Sequence, residues 1–299
     1  MRALKIIGKV LAGVLALALV AIGGLYAQTQ WKIAQKAVPP TRPKLVVTHD
    51  SATIARGARL IIADGCQECH TQDLGGRVMA DDPAFGRLVA ANLTSGAGGV
   101  GARYDDASFD AAIRDGVGWD GRKLIFMPSH EYAAMADDDV SAIIAHLRTV
   151  APVSRALPAM RLGPIARGLM VTGKIVLLPN DKVDHARATR ALAPRGATVE
   201  QGRYIAAGCT GCHGKDFRGG VVPGGPPGSK PAANLTPTGH LGQWSEADFI
   251  KALRDGVRPD GSKIDELMPW KAMGHMTDEE LQGVYKYLKT LPPQTIAAQ

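Results

Sequence analysis

Apolar residues are concentrated in one long run near the amino end of the chain. From Val10 to Tyr26 the sequence is uncharged and mostly apolar, and Ile6 and Ile7 precede this run. As a helix, the stretch from Ile6 would span about 32 Å, which matches the hydrocarbon layer of a bilayer. The pattern predicts a membrane anchor over residues 1–28. A signal peptide cleaved at Ala27 is the alternative.

The basic residues Arg2, Lys5 and Lys9 lie on the amino side of this run. By the positive-inside rule this flank stays in the cytoplasm, so the rest of the chain is exported. A cleaved signal peptide leads to the same destination. We therefore expect the remainder of the chain in the periplasm of a bacterium, held at the inner membrane by the anchor.

Helical periodicity dominates the rest of the chain. Behind the capping pair Thr277 and Glu280, apolar residues recur at the i, i+3, i+4, i+7 spacing of an amphipathic helix. These residues are Leu281, Val284, Tyr285 and Leu288, and their counterparts earlier in the chain are Val140, Ile143, Ile144 and Leu147. Further helices are expected near 53–63 and 199–207. Since no alternating strand pattern of convincing length appears, the sequence predicts an all-α fold.

The helical pattern is part of a tandem repeat with a period of about 140 residues. The matching pairs include Asn92-Leu93-Thr94 with Asn234-Leu235-Thr236, Arg114-Asp115-Gly116-Val117 with Arg254-Asp255-Gly256-Val257, and Met127-Pro128 with Met268-Pro269. We therefore predict two domains of the same kind, module one over 46–153 and module two over 196–293.

The segment 154–195 belongs to neither copy. It carries eight basic and two acidic residues, whereas module one carries nine basic and fifteen acidic residues. This balance predicts that the segment packs across module one. Its apolar middle, from Leu162 to Leu178, predicts a helix buried between the modules or against a partner. A second membrane span is disfavoured because Arg167 and Lys174 lie within a short run.

The overall charge does not indicate nucleic-acid binding. The chain has a net charge of +7, but residues 1–45 hold seven basic and no acidic residues, and residues 46–299 hold 28 of each. The excess therefore belongs to the amino end, and the body of the protein is neutral. We expect no nucleic-acid partner.

The cysteines provide the most specific chemical signal. All four fall into two C-x-x-C-H patterns, which are Cys66-Gln67-Glu68-Cys69-His70 and Cys209-Thr210-Gly211-Cys212-His213. This pattern is the attachment signature of haem c, in which two thiols on one helical turn bind the porphyrin edge and the histidine ligates the iron. A redox disulfide does not require the histidine, and a zinc site would pool four ligands. We predict two covalently bound haem c groups.

Each iron needs a ligand opposite its histidine. Met127 lies 57 residues after His70, and Met268 lies 55 residues after His213. Both methionines precede a proline at equivalent positions of the repeat, so we predict His70 and Met127, and His213 and Met268, as the two ligand pairs. A lone methionine is normally a packing residue, which is how we interpret the other equivalent pair, Met135 and Met276.

The haem propionates need hydrogen-bond donors. The repeat supplies six candidates, which are Asn92, Thr94 and Tyr104 in module one and Asn234, Thr236 and Trp244 in module two. The alternative is structural, since Asn-Leu-Thr is also typical of a turn and the aromatic residues of a core.

These motifs together resemble the class I cytochrome c fold used twice. The arrangement is similar to the membrane-anchored cytochrome c subunits of periplasmic dehydrogenases of the alcohol and gluconate group, although those subunits generally carry three haem domains. The resemblance covers most of 46–293. It implies that electrons pass from a dehydrogenase through both haems to ubiquinone, a small cytochrome or a terminal oxidase.

The predicted function is therefore electron transfer, with the chemistry carried by haem iron and no catalytic residues in the chain. One alternative is a dihaem cytochrome c peroxidase, which requires one iron with an open sixth position. The two equivalent Met-Pro positions argue against it. A second alternative is a cytochrome subunit integrated into an oxidase or a bc-type complex.

Overall fold

The computed structural model describes residues 2–40, 42–186, 191–223, 225–226 and 228–295. A long amino-terminal helix, α1, precedes two helical modules. The helices up to the end of module one are α1 (Arg2–Ala34), α2 (Ser51–Ala63), α3 (Cys66–His70), α4 (Asp106–Asp115), α5 (Ser129–Tyr132) and α6 (Asp137–Thr149). The connecting segment contributes α7 (Pro164–Val171), and module two comprises α8 (Val199–Ala206), α9 (Thr210–His213), α10 (Glu246–Asp255), α11 (Trp270–Met273) and α12 (Asp278–Lys289). Three short 3-10 turns cover Pro179–Lys182, Ala207–Cys209 and His240–Gln243.

Helix starts follow local side-chain chemistry. In α12, Thr277 accepts a hydrogen bond from the backbone of Glu280 and the Glu280 carboxylate accepts one from the backbone of Thr277, which confirms the predicted capping box. Ser245 and Asp248 form the same box at the start of α10. In module one, the Asp50 carboxylate caps α2. These caps pair backbone N–H groups that a helix start leaves without intrahelical partners.

The core of each module forms where its first and last helices cross. The α2–α6 crossing has Gly57 at its centre, and the α8–α12 crossing has Gly202. A Cβ atom at Gly57 would overlap the carbonyl oxygen of Ala142, and one at Gly202 would overlap that of Gly283. The two helix pairs therefore approach closely enough that only glycine fits. The predicted apolar stripe of α6 is buried within this core, as are Leu281, Val284 and Leu288 of α12.

The all-α prediction is wrong in one respect, because two strands of module one and one strand of the connecting segment form a small antiparallel sheet. Its strands are β1 (Arg77–Asp82), β2 (Gly86–Ala90) and β3 (Arg161–Leu162), in the order β1-β2-β3. Arg77 pairs with Ala90 and Asp82 with Gly86, with an irregularity between Val78 and Ala80. The apolar residues of β1 and β2 are consecutive rather than alternating, and β3 has only two residues, so the alternation needed to predict these strands is absent.

The connecting segment packs along module one. Asn180 Nδ2 donates to the carbonyl oxygen of Asp115 at 2.7 Å, and Arg155 forms an ion pair with Asp73 at 2.8 Å. Lys123 of module one pairs with Asp181 at 2.5 Å. Residues 187–190 of the segment lie outside the described part of the chain.

The apolar middle of this segment forms a shorter helix than expected. Helix α7 has Pro164 in its first turn, and Gly173, with φ of +69°, lies two residues beyond its end. The helix packs against α1 rather than between the modules. Arg167 fixes the contact, since it is buried, donates to the Thr29 hydroxyl and lies 4.3 Å from the centre of the Tyr26 ring.

Candidate functional site

The first C-x-x-C-H motif opens into a cavity inside module one. Helix α3 carries Cys66, Cys69 and His70, and all three line a cavity of about 410 Å³. Met127 and Tyr104 line the same cavity, so the structure brings these predicted site residues together. Such a volume is typical of a small-molecule or cofactor site. The wall also contains Met79 and Met160, which the sequence did not indicate because they have no counterparts in module two.

The two motif histidines make the same hydrogen bond. His70 Nδ1 lies 2.8 Å from the carbonyl oxygen of Ala91, and His213 Nδ1 lies 2.8 Å from that of Ala233. A carbonyl oxygen only accepts, so Nδ1 carries the proton and Nε2 keeps its lone pair for a metal. Burial lowers the pKa of both imidazoles, which favours the neutral form that ligates iron.

Backbone contacts hold each acceptor carbonyl in place, and they too repeat. The Leu93 N–H donates to the Leu74 carbonyl at 2.8 Å, and the Leu235 N–H donates to the Phe217 carbonyl at 2.8 Å. Beside the first contact, Gly76 adopts φ of +71°, and a Cβ atom there would overlap the Ala90 carbonyl oxygen. A Cβ atom at Gly219 of module two would likewise overlap the Ala232 carbonyl oxygen. Gly76 and Gly219 therefore admit the backbone segment whose carbonyl orients each histidine, a role that the sequence alone did not reveal.

The thiols are not poised for thiolate chemistry. Burial raises the pKa of Cys66 to about 12 and that of Cys209 to about 12, and it also raises the pKa values of Cys69 and Cys212. A thiol that acts as a free nucleophile shows the opposite shift. Within the described ranges, no three His, Cys, Asp or Glu side chains are grouped as a metal site. The donor set of each motif, two cysteines followed by a histidine, fits covalent attachment of haem with the histidine as a ligand to iron.

Each predicted methionine ligand lies in a loop that is held in the same way in both modules. The Leu124 N–H donates to Gly116 and the Ile264 N–H donates to Gly256, both at 2.8 Å, at the start of the two loops. Beyond them, Met127 lines the cavity that contains His70, and Met268 and Cys209 both pack on the core of module two. The structure thus brings Met127 to the first attachment motif, and the same placement of Met268 at the second motif stays a prediction from the repeat.

Met135 and Met276 lie outside these loops. Each packs against the hydrophobic core of its own module, and Met268 packs on the module two core as well. In module one, Met127 lines the cavity and Met135 does not. The packing role of Met135 and Met276 stays a prediction.

The Asn-Leu-Thr residues are engaged within the protein. Asn92 Oδ1 accepts from the backbone and hydroxyl of Thr94 at 3.0 and 2.8 Å, and Asn92 Nδ2 donates to the Val153 carbonyl at 2.7 Å. Asn234 makes the same bonds to Thr236 and to the Gln294 carbonyl, the last at 2.7 Å. These contacts hold the loop in both modules, and Asn92 also lines the cavity that contains His70. The propionate role of these four residues stays a prediction.

The two aromatic candidates differ from each other. Tyr104 is buried, lines the cavity and has a pKa raised by burial, with its hydroxyl against the backbone of Trp119. Trp244 packs on the core of module two, and its carbonyl accepts from the Tyr285 hydroxyl at 2.8 Å. Tyr104 therefore presents a polar group near the cavity, whereas the contacts of Trp244 are structural.

Comparison with known proteins agrees with this geometry. The cytochrome c family profile matches residues 54–151 and 199–292, so the chain belongs to the cytochrome c family and carries the domain twice. It is 28% identical over 278 residues to the cytochrome c subunit of a quinone-dependent alcohol dehydrogenase from Gluconacetobacter polyoxogenes, covering 82% of this chain and 57% of that subunit.

Two further relatives have similar identities. The fructose dehydrogenase cytochrome subunit of Gluconobacter japonicus is 28% identical, with 87% of this chain and 57% of the relative covered. A dihaem cytochrome c of Cereibacter sphaeroides is 27% identical, with 80% of this chain and 86% of the relative covered. The chain thus spans little more than half the length of the two dehydrogenase subunits. Two covalently bound haem c groups are its cofactors, as predicted, and the two motifs and oriented histidines fit them.

Proposed function

We propose that the protein is a dihaem electron carrier that receives electrons from a dehydrogenase and passes them to the respiratory chain. The observation that carries this proposal is the duplicated site, in which each motif histidine is oriented by a backbone carbonyl and accompanied by an equivalent Met-Pro loop. Haem iron supplies one-electron chemistry by cycling between Fe(III) and Fe(II). The relatives are cytochrome subunits of dehydrogenases and a dihaem cytochrome c, and this does not favour the peroxidase alternative.

The residues divide into three roles. The four cysteines attach the haems, and we name the haem on Cys66 and Cys69 haem 1 and the haem on Cys209 and Cys212 haem 2. His70 and His213 are the proximal ligands. Met127 and Met268 would supply a thioether ligand to each iron, and a thioether beside an imidazole raises the reduction potential. A site closed in this way suits electron transfer and disfavours peroxide binding.

The membrane location rests on α1. The stretch Lys5–Ala34 has a mean hydropathy of 2.4 in its most apolar window, and this window is not buried against the rest of the described protein. Tyr26 and Trp31 are exposed near its carboxyl end, where aromatic residues favour the interface between lipid and water. We propose that α1 anchors the modules at the periplasmic face of the bacterial inner membrane.

Affinity purification of the full chain from native membranes in mild detergent tests this function. We expect a dehydrogenase to copurify, and addition of its substrate to reduce both haems before any added acceptor. Subsequent addition of an oxidised quinone or small cytochrome should reoxidise them. Copurification with an oxidase or bc-type complex, without substrate-dependent reduction, would support the integrated-subunit alternative. Rapid peroxide turnover at a high-spin haem would instead indicate the peroxidase.

A further inference from the structure

The two modules meet through elements that adjoin their haem sites. Helix α5, which begins two residues after Met127, packs against the turn Ala207–Cys209 of module two. Helix α11, which begins two residues after Met268, packs against α2 of module one. Each methionine loop therefore leads directly to a contact with the other module, near the segment that carries its haem.

The two contacts differ in chemistry. The third residue of α5 is Glu131, and its counterpart in α11 is the buried Ala272. A Cβ atom at Gly211, between Cys209 and Cys212, would lie 2.6 Å from Glu131 Oε1. Module one thus places a carboxylate against the attachment motif of haem 2, and the repeat offers no equivalent carboxylate toward haem 1.

The charge of this carboxylate reaches the haem 2 site. Among the described residues, no basic side chain forms a salt bridge with Glu131. Glu131 is exposed as a whole residue, but its Oε1 faces Gly211, which immediately precedes Cys212 and lies two residues before His213. A negative charge near a haem stabilises Fe(III) relative to Fe(II), because the ferric site carries one more positive charge.

We infer that Glu131 of module one is a positioning residue that lowers the reduction potential of haem 2 across the module interface. The inference rests on the proposed attachment of haem 2 to Cys209 and Cys212. According to this inference, a charge on module one helps to set the potential of haem 2, so the two modules are not independent electron carriers.

Redox titration of the full-length protein in detergent, followed by visible absorbance, tests this inference. At about pH 8, well above ordinary carboxyl pKa values, we expect Glu131→Gln to raise the potential of haem 2 and leave that of haem 1 unchanged. Glu131→Asp keeps the charge and should shift the potential less. Met268→His should lower the potential of haem 2, and this shift identifies which of the two redox transitions belongs to haem 2. An unchanged far-red band in Glu131→Gln would show that the methionine ligands are intact.

Glu246→Gln is the matched control, since Glu246 is in the first turn of α10 and the substitution removes the same charge elsewhere in module two. We expect this substitution to leave the reduction potentials of both haems unchanged. The inference would be overturned if Glu131→Gln left the potential of haem 2 unchanged, or if it shifted the potentials of both haems equally. A protein without haem on Cys209 and Cys212 would instead overturn the proposed function itself.

Discussion

At the residue scale, the histidine orientation shows how a short motif depends on a distant partner. The motif places a histidine after two cysteines, but the proton on its Nδ1 is set by a carbonyl about twenty residues away, Ala91 for His70 and Ala233 for His213. The same contact between Nδ1 and a backbone carbonyl occurs in both modules, so it belongs to the repeated fold and not to one particular loop.

The methionine ligands provide the most direct test at this scale. Met127→Leu and Met268→Leu should each abolish half of the far-red Met–Fe(III) absorbance and lower the potential of the affected haem, because a soft ligand that favours Fe(II) is removed. Absorbance spectra and redox titration measure both effects. Met135→Leu and Met276→Leu are the matched controls and should leave the spectrum unchanged, at a packing cost below about 1.5 kcal/mol. A normal spectrum in Met127→Leu or Met268→Leu would exclude that methionine as a ligand.

A buried carboxyl at the end of α2 leads to a prediction on pH. Burial and the nearby charge of Glu280 raise the pKa of Asp64 to about 7, and Asp64 Oδ2 has no hydrogen-bond partner within the described residues. The folded protein therefore keeps a proton that the unfolded chain releases near its ordinary pKa of 3.8. Between these two values, stability should fall with rising pH by at most about 1.4 kcal/mol per unit.

Asp64→Asn should remove this component of the pH dependence. Thermal unfolding midpoints measured from about pH 4 to pH 8 should fall less steeply in the variant than in the wild type. Above about pH 7 the variant should be the more stable protein, because no charge is buried. Parallel curves for the two proteins would show that Asp64 ionises normally.

At the element scale, the helices were predictable and the sheet was not. The apolar spacing and capping residues of α12 lie within one short segment, and the structure shows that helix over Asp278–Lys289. Strands β1 and β2 form a local hairpin, but the apolar residues of each strand are consecutive rather than alternating, so neither strand shows the period of two that predicts a half-buried strand. Strand β3 joins them from Arg161–Leu162, more than seventy residues beyond β2, and two residues are too few for a periodic signal.

The helix crossings make a prediction at this scale. Gly57→Ala or Gly202→Ala should lower the thermal unfolding midpoint, since the added methyl group would meet a backbone carbonyl of the partner helix. Overpacking of this kind costs about 1–3 kcal/mol. Thermal unfolding followed by helical circular dichroism measures the loss.

Gly168→Ala is the matched helical control. A Cβ atom at this position in α7 would have no neighbour within 4 Å, so the substitution should be neutral or stabilising by about 0.4–1 kcal/mol. Equal destabilisation by all three substitutions would refute the close-approach explanation, because it would then reflect alanine itself rather than the crossing.

At the scale of the whole molecule, the modules are joined by specific polar contacts. Arg59 of α2 donates to both carboxylate oxygens of Glu280 in α12, at 2.6 and 2.8 Å. The Tyr204 hydroxyl of module two donates to Asp139 at 2.7 Å and accepts from the Ala136 backbone at 2.9 Å. These contacts fix the interface at which Glu131 meets the haem 2 motif.

Two motifs predict two covalent haems for each chain. The denatured protein should keep its haem colour after acid–acetone extraction, and its intact mass should include two haem additions. Removing the cysteine pair of one module should remove one addition and leave the other. Haem that is lost on extraction would refute covalent attachment.

The fate of α1 is a separate prediction. If the helix is an uncleaved anchor, the intact mass should include the residues before Gln28, and the protein should require detergent to stay in solution. Fusion of a periplasm-specific reporter to the carboxyl end should be active. A mature chain that begins at Gln28 and is soluble without detergent would identify the segment as a signal peptide.

The sequence by itself determined the features that depend on near neighbours in the chain. The C-x-x-C-H motifs, the capping pairs and the helical stripes are all contained within one or a few turns, and the duplication doubles each signal. Only the tertiary structure decided the carbonyl partners of the histidines, the sheet, the place of α7 and the interface. These features join residues as far apart as Arg59 and Glu280, which are 221 positions apart. Contacts over such separations depend on how complete elements pack, which local residue order does not encode.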